Sequence, residues 1–224
     1  DDDWPMFMHD PEHTGESKDI VQPPLENIWN YETGGVVYSS PAVSWGYIYI
    51  GSDYNKFYCL SKLTGSKVWD YMTGWSLSSP AISGDYIYVG SAGPFPKVFC
   101  FNRNTGKKIW EYKGKFESVI SPTISGDYVY IGSCESPEKF RKSEGRFYCL
   151  NKNTGKKVWE YEVGKCFSTP AISDSYVYIS SDDGKVYCLN KNMGEKVWEQ
   201  KITRSISYPS ILSLIHISEP TRPY

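Results

Sequence analysis

The chain has 224 residues, enough for one large all-β domain, and its formal net charge is −2 at pH 7. This charge gives no basic surface of the kind that binds nucleic acid, and no apolar run approaches the roughly 18 residues of a membrane-spanning helix. The sequence starts at Asp1 without a methionine or a signal-like apolar segment, so we expect a mature or excised segment.

Residues 1–24 precede the first clear strand pattern, and we predict that they form an extended N-terminal arm. The arm contains two of the three histidines of the chain, His9 and His13, whose spacing would suit a metal ion if they lay on a helix. Pro11 lies between them and disfavours that helix. We therefore expect no metal site here, and we expect Trp4 to pack against the rest of the molecule.

A phrase of eleven residues that begins with cysteine and ends with tryptophan occurs four times, most clearly as CLNKNTGKKVW at 149–159. The other copies lie at 59–69, 100–110 and 188–198. Together with Trp29 upstream, the five tryptophans are separated by 40, 41, 49 and 39 residues. A period near 40 residues is typical of repeat architectures.

Each phrase predicts a β-hairpin. Apolar residues alternate up to Leu150, the turn-forming run Asn-Lys-Asn-Thr-Gly follows at 151–155, and the alternation resumes up to Trp159. A second hairpin precedes each phrase, and in the copy at 79–91 it turns at Gly84 and Asp85. Each repeat therefore contains four short antiparallel strands, which we call A, B, C and D in chain order.

Strand B indicates how the repeats pack. Residues 128–131, Tyr-Val-Tyr-Ile, are apolar or aromatic on both faces of the strand, so neither face suits water. Four-stranded sheets stacked face to face in a ring cover both faces of every sheet. The sequence therefore predicts an all-β fold, a β-propeller of four-stranded antiparallel blades, with four complete blades in an incomplete ring.

The propeller region is expected to span residues 25–211, in which residues 25–33 are predicted to form an isolated strand D of a further blade. Four complete blades follow, at 36–73, 74–113, 114–162 and 163–200. A fifth strand A begins near Ser207, and the pattern then fails. Residues 212–224 resemble translated sequencing-adapter read-through, so we expect a non-native tail.

Four of the six cysteines open the repeated phrase, one in each blade: Cys59, Cys100, Cys149 and Cys188. Equivalent positions in adjacent blades lie about 10 Å apart, which is too far for a disulfide, whose Cα atoms lie within about 7 Å. We expect these four thiols to be buried core residues. Cys134 and Cys166 lie in loops of adjacent blades, where either a bridge or two unpaired thiols would fit.

Strand parity places the B–C loops and the loops from strand D to the next strand A at the same end of the propeller. One position of the D–A loops, three residues before the proline of strand A, is apolar in every repeat. We predict that this column belongs to the core; its residues are Tyr38, Leu77, Val119, Phe167 and Ile206.

Other residues of these loops are candidates for partner binding. Trp75, Phe116 and Lys165 lie earlier in the D–A loops. The B–C loop of blade 3 is longer by about nine residues and contains Phe140 and Arg141; such a charged insertion either extends into solvent or contributes to function. Aromatic and cationic side chains on a rigid rim suit a protein or glycan partner.

The repeated phrase resembles the pyrroloquinoline quinone (PQQ)-like repeat, whose tryptophan-docking motif is Ala-x-Asp-x-x-x-Gly-x-x-x-Trp. Cysteine replaces the alanine in all four copies, and Asn or Ser replaces the aspartate. The glycine and the tryptophan match in every copy, as Gly65 with Trp69, Gly106 with Trp110, Gly155 with Trp159 and Gly194 with Trp198.

The opening Trp-Pro-Met-Phe at 4–7 is also similar to the start of secreted prokaryotic members of this group. The resemblance implies an extracytoplasmic location: periplasmic, cell-surface or secreted. It also implies a parent with about seven or eight blades. Four blades alone would leave two blade faces uncovered, so we expect self-association in place of the missing blades.

For function, the resemblance covers quinoprotein dehydrogenases and non-enzymatic propellers similar to the outer-membrane assembly scaffold BamB. In the dehydrogenases a calcium ion, a catalytic aspartate and usually an adjacent cysteine pair frame the quinone. This chain has no adjacent cysteines, and its Asp and Asn residues fall mainly in turns. No nucleophile has a partner at a recognisable spacing, which disfavours a hydrolase.

We therefore expect a non-catalytic scaffold that binds a protein or another ligand at the cell envelope or outside the cell. In this reading the chain has no catalytic residue, no cofactor and no metal. The alternative is a fragment of a PQQ-dependent dehydrogenase that binds PQQ with calcium.

Overall fold

The computed structural model describes residues 3–15, 24–75, 78–93, 95–114, 118–134, 145–164, 168–202 and 209. Within these ranges every regular element is a β-strand, and none of them contains a helix that could cross a bilayer. The tail at 212–224 and the predicted fifth strand A, apart from Pro209, lie outside the described residues.

Four antiparallel sheets follow one another along the chain, and each has its strands in the order A–B–C–D. Blade 1 contains β1 (Ala42–Ser44), β2 (Tyr47–Ser52), β3 (Lys56–Ser61) and β4 (Lys67–Met72). Blade 2 contains β5 (Ala81–Ser83), β6 (Tyr86–Gly90), β7 (Val98–Asn102) and β8 (Lys108–Tyr112).

The third sheet also includes a short strand from the preceding loop, β9 (Ser118–Val119). Blade 3 contains β10 (Thr123–Ser125), β11 (Tyr128–Cys134), β12 (Gly145–Asn151) and β13 (Lys157–Val163). Blade 4 contains β14 (Ala171–Ile172), β15 (Tyr176–Ser180), β16 (Lys185–Asn190) and β17 (Lys196–Lys201). These sheets confirm the predicted all-β propeller with four blades.

The C–D hairpins share one irregularity. In blade 3 the register shifts after Cys149, so that Cys149 pairs with Trp159 while Leu150 pairs with Lys157, and the same shift occurs in the other three blades. At the turn, the Asn151 side-chain oxygen accepts hydrogen bonds from the next backbone N–H groups. The local bulge adds twist to the strand pair.

Neighbouring blades pack face to face, and strand B of blade 3 shows both interfaces. Val129 is fully buried in a cluster that includes Tyr88 of blade 2. The adjacent Tyr130 is fully buried in a second cluster, which includes Ile172 and Val177 of blade 4. Each face of the strand is therefore covered by a different blade.

An indole docks on the next blade at each interface. Trp110 lies on the C–D turn of blade 3, where its Nε1 donates to the carbonyl oxygen of Lys152 at 2.9 Å. A Cβ added to Gly155 would lie 2.6 Å from the ring atoms, so glycine permits this close approach. The equivalent contacts join Trp29 to Gly65, Trp69 to Gly106 and Trp159 to Gly194.

Residues 25–33 differ from the prediction, because they are not assigned to a strand and form no ladder with other described residues. Leu25 and Ile28 are 75% and 84% exposed. Trp29 nevertheless docks, donating to the Lys62 carbonyl oxygen at 2.9 Å. A strand D pairs with strand C of its own blade, and the described residues contain no such strand for this segment.

Tyr38 was predicted to belong to the core column, and the structure shows that this prediction is wrong for this residue. Val119 of the same column is 5% exposed and lies against Gly90 of the preceding blade. Tyr38 is 69% exposed, because the described residues contain no blade before blade 1 that would cover it. Leu77, Phe167 and Ile206 lie outside the described residues.

The N-terminal arm crosses the inner edges of strands A, which are the strands that neighbour one another from blade to blade. Trp4 exchanges two backbone hydrogen bonds with strand A of blade 1, Pro5 accepts one from blade 2, and Pro11 accepts one from blade 4. His13, 1% exposed, places its Nδ1 2.9 Å from the carbonyl oxygen of Pro209. The arm thus links blades that are far apart in sequence.

Candidate functional site

The B–C loops and D–A loops meet at one end of the propeller, which we call the loop face. Trp75, in the loop after blade 1, forms a bridge with Ala92 in the B–C loop of blade 2. Gly164, in the loop after blade 3, lies against Ser181 and Asp183 in the B–C loop of blade 4. This is the arrangement that strand parity predicted.

A groove of about 350 Å³ opens at the loop face between blades 1 and 2. Blade 1 contributes Tyr71 and Met72 from the end of its strand D, and blade 2 contributes Phe99 from its strand C. The neighbouring loops add Trp75 and Phe95. The groove is therefore lined by aromatic rings and a methionine that come from two blades.

Trp75 was predicted to bind a partner, and the structure places it in this groove. Its side chain is 51% exposed, yet its position is fixed. The backbone oxygen of Trp75 accepts a hydrogen bond from Ala92 N at 2.7 Å, and the ring lies close enough to Gly93 that an added Cβ would be 3.5 Å away. Trp75 is thus an exposed indole held by backbone contacts.

The other predicted partner-binding residues, Phe116, Phe140, Arg141 and Lys165, lie outside the described residues. Cys166 and the side chain of Cys134 also lie outside them, so a bridge between these two cysteines stays a prediction.

The groove also contains a charged triad that the sequence analysis did not identify. The Nζ atoms of Lys97 and Lys108 lie 2.8 Å and 2.7 Å from the two carboxylate oxygens of Glu111. Hydrogen bonds from Lys108 and Lys97 lower the pKa of Glu111 to about 2. Glu111 is therefore a carboxylate at neutral pH, and two lysines around one carboxylate leave the triad with an excess of one positive charge.

The same triad recurs in the other blades, as Lys56–Asp70–Lys67, Arg146–Glu160–Lys157 and Lys185–Glu199–Lys196. A sequence signal for two of its members exists, because an acid directly follows the tryptophan of each of the four repeated phrases and a lysine lies two residues before it. The third member is contributed by strand C or the loop before it, and only the strand pairing shows that it is adjacent.

The column cysteines do not provide a nucleophile. All four are free and buried, and burial raises the pKa of the Cys100 thiol to about 12. Such a thiol is protonated at neutral pH, whereas the thiolate is the reactive form. These residues serve as core side chains, as the repeat position predicted.

The two arm histidines have different partners. His9 Nδ1 lies 3.6 Å from a carboxylate oxygen of Asp10, while His13 Nδ1 lies against the Pro209 carbonyl. Burial lowers the pKa of His13, with the Pro209 carbonyl and the Asp10 carboxylate opposing that shift. Within the described ranges, no group of three or more His, Cys, Asp or Glu residues is placed to hold a metal ion.

Stacked four-stranded blades with an indole docked on each following glycine turn define the class: the protein is a β-propeller of PQQ-like repeats. A family model described as outer membrane protein assembly factor BamB matches residues 21–164 and 97–213. The chain belongs to that family. No curated protein shows significant sequence similarity to it.

Solved structures share the fold at low identity. BamB from Moraxella catarrhalis has a TM-score of 0.66 and 20% identity, over 83% of this chain and 58% of that one. A europium-containing methanol dehydrogenase has a TM-score of 0.74 and 16% identity, over 89% of this chain and 48% of that one. The quinohemoprotein alcohol dehydrogenase from Comamonas testosteroni has a TM-score of 0.73 and 15% identity, over 89% of this chain and 41% of that one. The chain therefore spans less than two thirds of each of these proteins.

Proposed function

We propose that the chain is part of a non-catalytic, extracytoplasmic propeller scaffold that binds a protein partner at its loop face. The observation that carries this proposal is Trp75, which is half-exposed and yet fixed beside a groove. Met72 and Phe95, 64% and 83% exposed, line the same groove. Exposed aromatic residues and methionines on a rigid support are typical of protein-binding surfaces.

The extracytoplasmic part of the proposal is supported by the family. The matching family model is described as an outer membrane protein assembly factor, a role performed outside the cytoplasm. A scaffold of this kind needs no reacting group, and the proposed activity is binding alone.

A specific cross-linking experiment tests the scaffold. A photo-reactive phenylalanine analogue replaces Trp75 in the full-length protein in its source cells, and the same analogue replaces Tyr176 in a control variant. Tyr176 is 38% exposed and starts a strand B, so it lies at the end of the propeller opposite the loop face. We expect a discrete protein adduct from position 75 and none from position 176. Equal labelling at both positions would contradict a specific partner site.

The alternative, a fragment of a PQQ-dependent dehydrogenase, is favoured by the likeness to methanol dehydrogenase, with a TM-score of 0.74. The described part of the chain has no group of three or more His, Cys, Asp or Glu residues placed to hold a metal ion, and the sequence has no adjacent cysteine pair. Titration with PQQ and calcium tests it directly. The scaffold predicts no stoichiometric change in absorbance or melting temperature, and a saturable change would favour the dehydrogenase.

A further inference from the structure

We infer that the groove between blades 1 and 2 binds an extended peptide in which an acidic side chain neighbours an aromatic or aliphatic one. This inference rests on the proposed function and names the class of ligand for the same site. Two properties of the groove carry it: the aromatic and methionine side chains that line part of it, and its positive charge.

The apolar side chains of the groove suit peptide side chains. Trp75 presents a half-exposed ring beside Gly93, and Met72 at the end of strand D is unbranched and adapts its shape to what it contacts. Phe95 extends from the opposite loop and is 83% exposed. A volume of about 350 Å³ lies at the small end of the range for ligand sites, so it suits a short segment of chain rather than a folded domain.

Two of the polar side chains of the groove are already bonded within the protein. Both carboxylate oxygens of Glu111 are bonded to lysines, and the Thr73 hydroxyl donates to the Gly74 carbonyl oxygen at 3.0 Å. Sugar hydroxyls require several available donors and acceptors, since each hydroxyl that loses water without a partner costs free energy. Asn55 adds a side-chain amide to the lining, so the preference for a peptide over a neutral sugar rests on the positive charge of the groove.

The charge of the groove favours an acidic ligand. Lys97 and Glu111 are only 22% and 25% exposed at their side chains, so their charges are screened less than those of a fully exposed pair. Lys97 Nζ also lies 5.8 Å from the centre of the Phe99 ring. A ligand carboxylate beside this triad would balance its excess positive charge while the apolar side chain of the ligand contacts Trp75.

The test uses the full chain labelled with ¹⁵N-tryptophan, whose eight indole signals include that of Trp75. The Trp75→Phe variant assigns the signal. The probes are acetyl-Phe-Glu-Phe-amide, the matched acetyl-Phe-Gln-Phe-amide, and maltohexaose as a neutral glycan. We expect the Glu peptide to shift the Trp75 signal saturably and to bind about fivefold more tightly than the Gln peptide, as one partly shielded charge pair allows.

Two matched variants locate the charge effect. Lys97→Met should abolish the preference for Glu over Gln. Lys185→Met removes the equivalent lysine of the blade 4 triad, whose partner Glu199 it contacts at 2.7 Å, and should leave the preference unchanged. Unfolding curves of both variants show whether the fold is retained.

Each contrary result overturns a defined part of the inference. Equal affinity for the two peptides would refute an acidic ligand while leaving the groove as a peptide site. A shift with maltohexaose and with neither peptide would identify a glycan site instead. No shift with any probe would refute the inference, and cross-linking from position 75 would still report on the scaffold separately.

Discussion

Gly106 shows how one residue sets the distance between two blades. It has a φ of 67°, and a Cβ there would lie 2.7 Å from the nearest ring atom of Trp69. An alanine at this position would meet both backbone strain and a steric clash. The glycine of the repeated phrase is thus required by its neighbour in the preceding blade as much as by its own turn.

We expect Gly106→Ala to lower the free energy of unfolding by about 2–4 kcal/mol, as the sum of left-handed strain and overpacking. Gly84→Ala is the matched control, because Gly84 has a φ of 56° with no atom within 4 Å of an added Cβ. It should lose only about 1–2 kcal/mol. Urea unfolding measures the free energy of unfolding of both variants. Equal decreases in the two variants would show that the contact between Gly106 and the indole has no role in stability.

His13 makes stability depend on pH. Burial lowers its pKa below the ordinary value of 6.5, so the unfolded chain binds the proton first as the pH falls. The free energy of unfolding should therefore decrease as the pH drops below about 6.5 and level off below the folded-state pKa. Thermal unfolding between pH 8 and pH 4 measures this decrease, and His13→Gln should reduce it. An identical pH profile in that variant would contradict a role for His13.

At the scale of elements, the C–D turn is the part of each blade that receives its neighbour. The Asn side chain and the positive-φ glycine shape the turn from within, and the turn then presents a carbonyl oxygen to the incoming indole. Trp159 uses this element, donating to Lys191 O at 3.1 Å. Trp198 is the last of the repeat tryptophans. The described residues contain no following C–D turn for it, and it is 44% exposed.

This difference predicts unequal costs for the same substitution. Trp159→Phe should destabilise the chain by about 2 kcal/mol, through loss of packed ring atoms and of a partly buried hydrogen bond. Trp198→Phe should cost less than about 1 kcal/mol, because nearly half of its side chain is exposed. Denaturant unfolding of the two variants measures the two decreases in the free energy of unfolding. Similar decreases would mean that docking of the indole on the turn contributes little to stability.

At the scale of the whole molecule, the described blades form an arc with an apolar surface at each end. Leu25 and Ile28 are exposed at the first end, and Trp198 is exposed at the last. The N-terminal arm contacts strands A of blades 1, 2 and 4, so it holds the arc together from the inside. It leaves the two end surfaces uncovered within the described part of the chain.

We expect the isolated chain to self-associate through these ends, with a mass that rises with concentration in light scattering. Trp198→Lys should weaken the association. Val158→Lys is the matched control, since Val158 is also 46% exposed but lies in strand D of blade 3, which is at neither end. A monomer at all concentrations that unfolds in one cooperative step would contradict the expectation.

The repeated phrase was sufficient to predict the four blades, the strand order and the buried cysteines. These features follow from alternation and turn chemistry over a few residues, which are local and recur with every copy. The groove was beyond such reasoning, because its charged triad joins Lys97 to Glu111 through the pairing of two strands, and Trp75 and Phe95 line one groove only where two blades pack. The exposure of Tyr38 and the path of the arm across three strands A likewise depend on which surfaces the neighbouring blades cover. Local rules specify each blade, and the packing of blades against one another decides which side chains remain available to a partner.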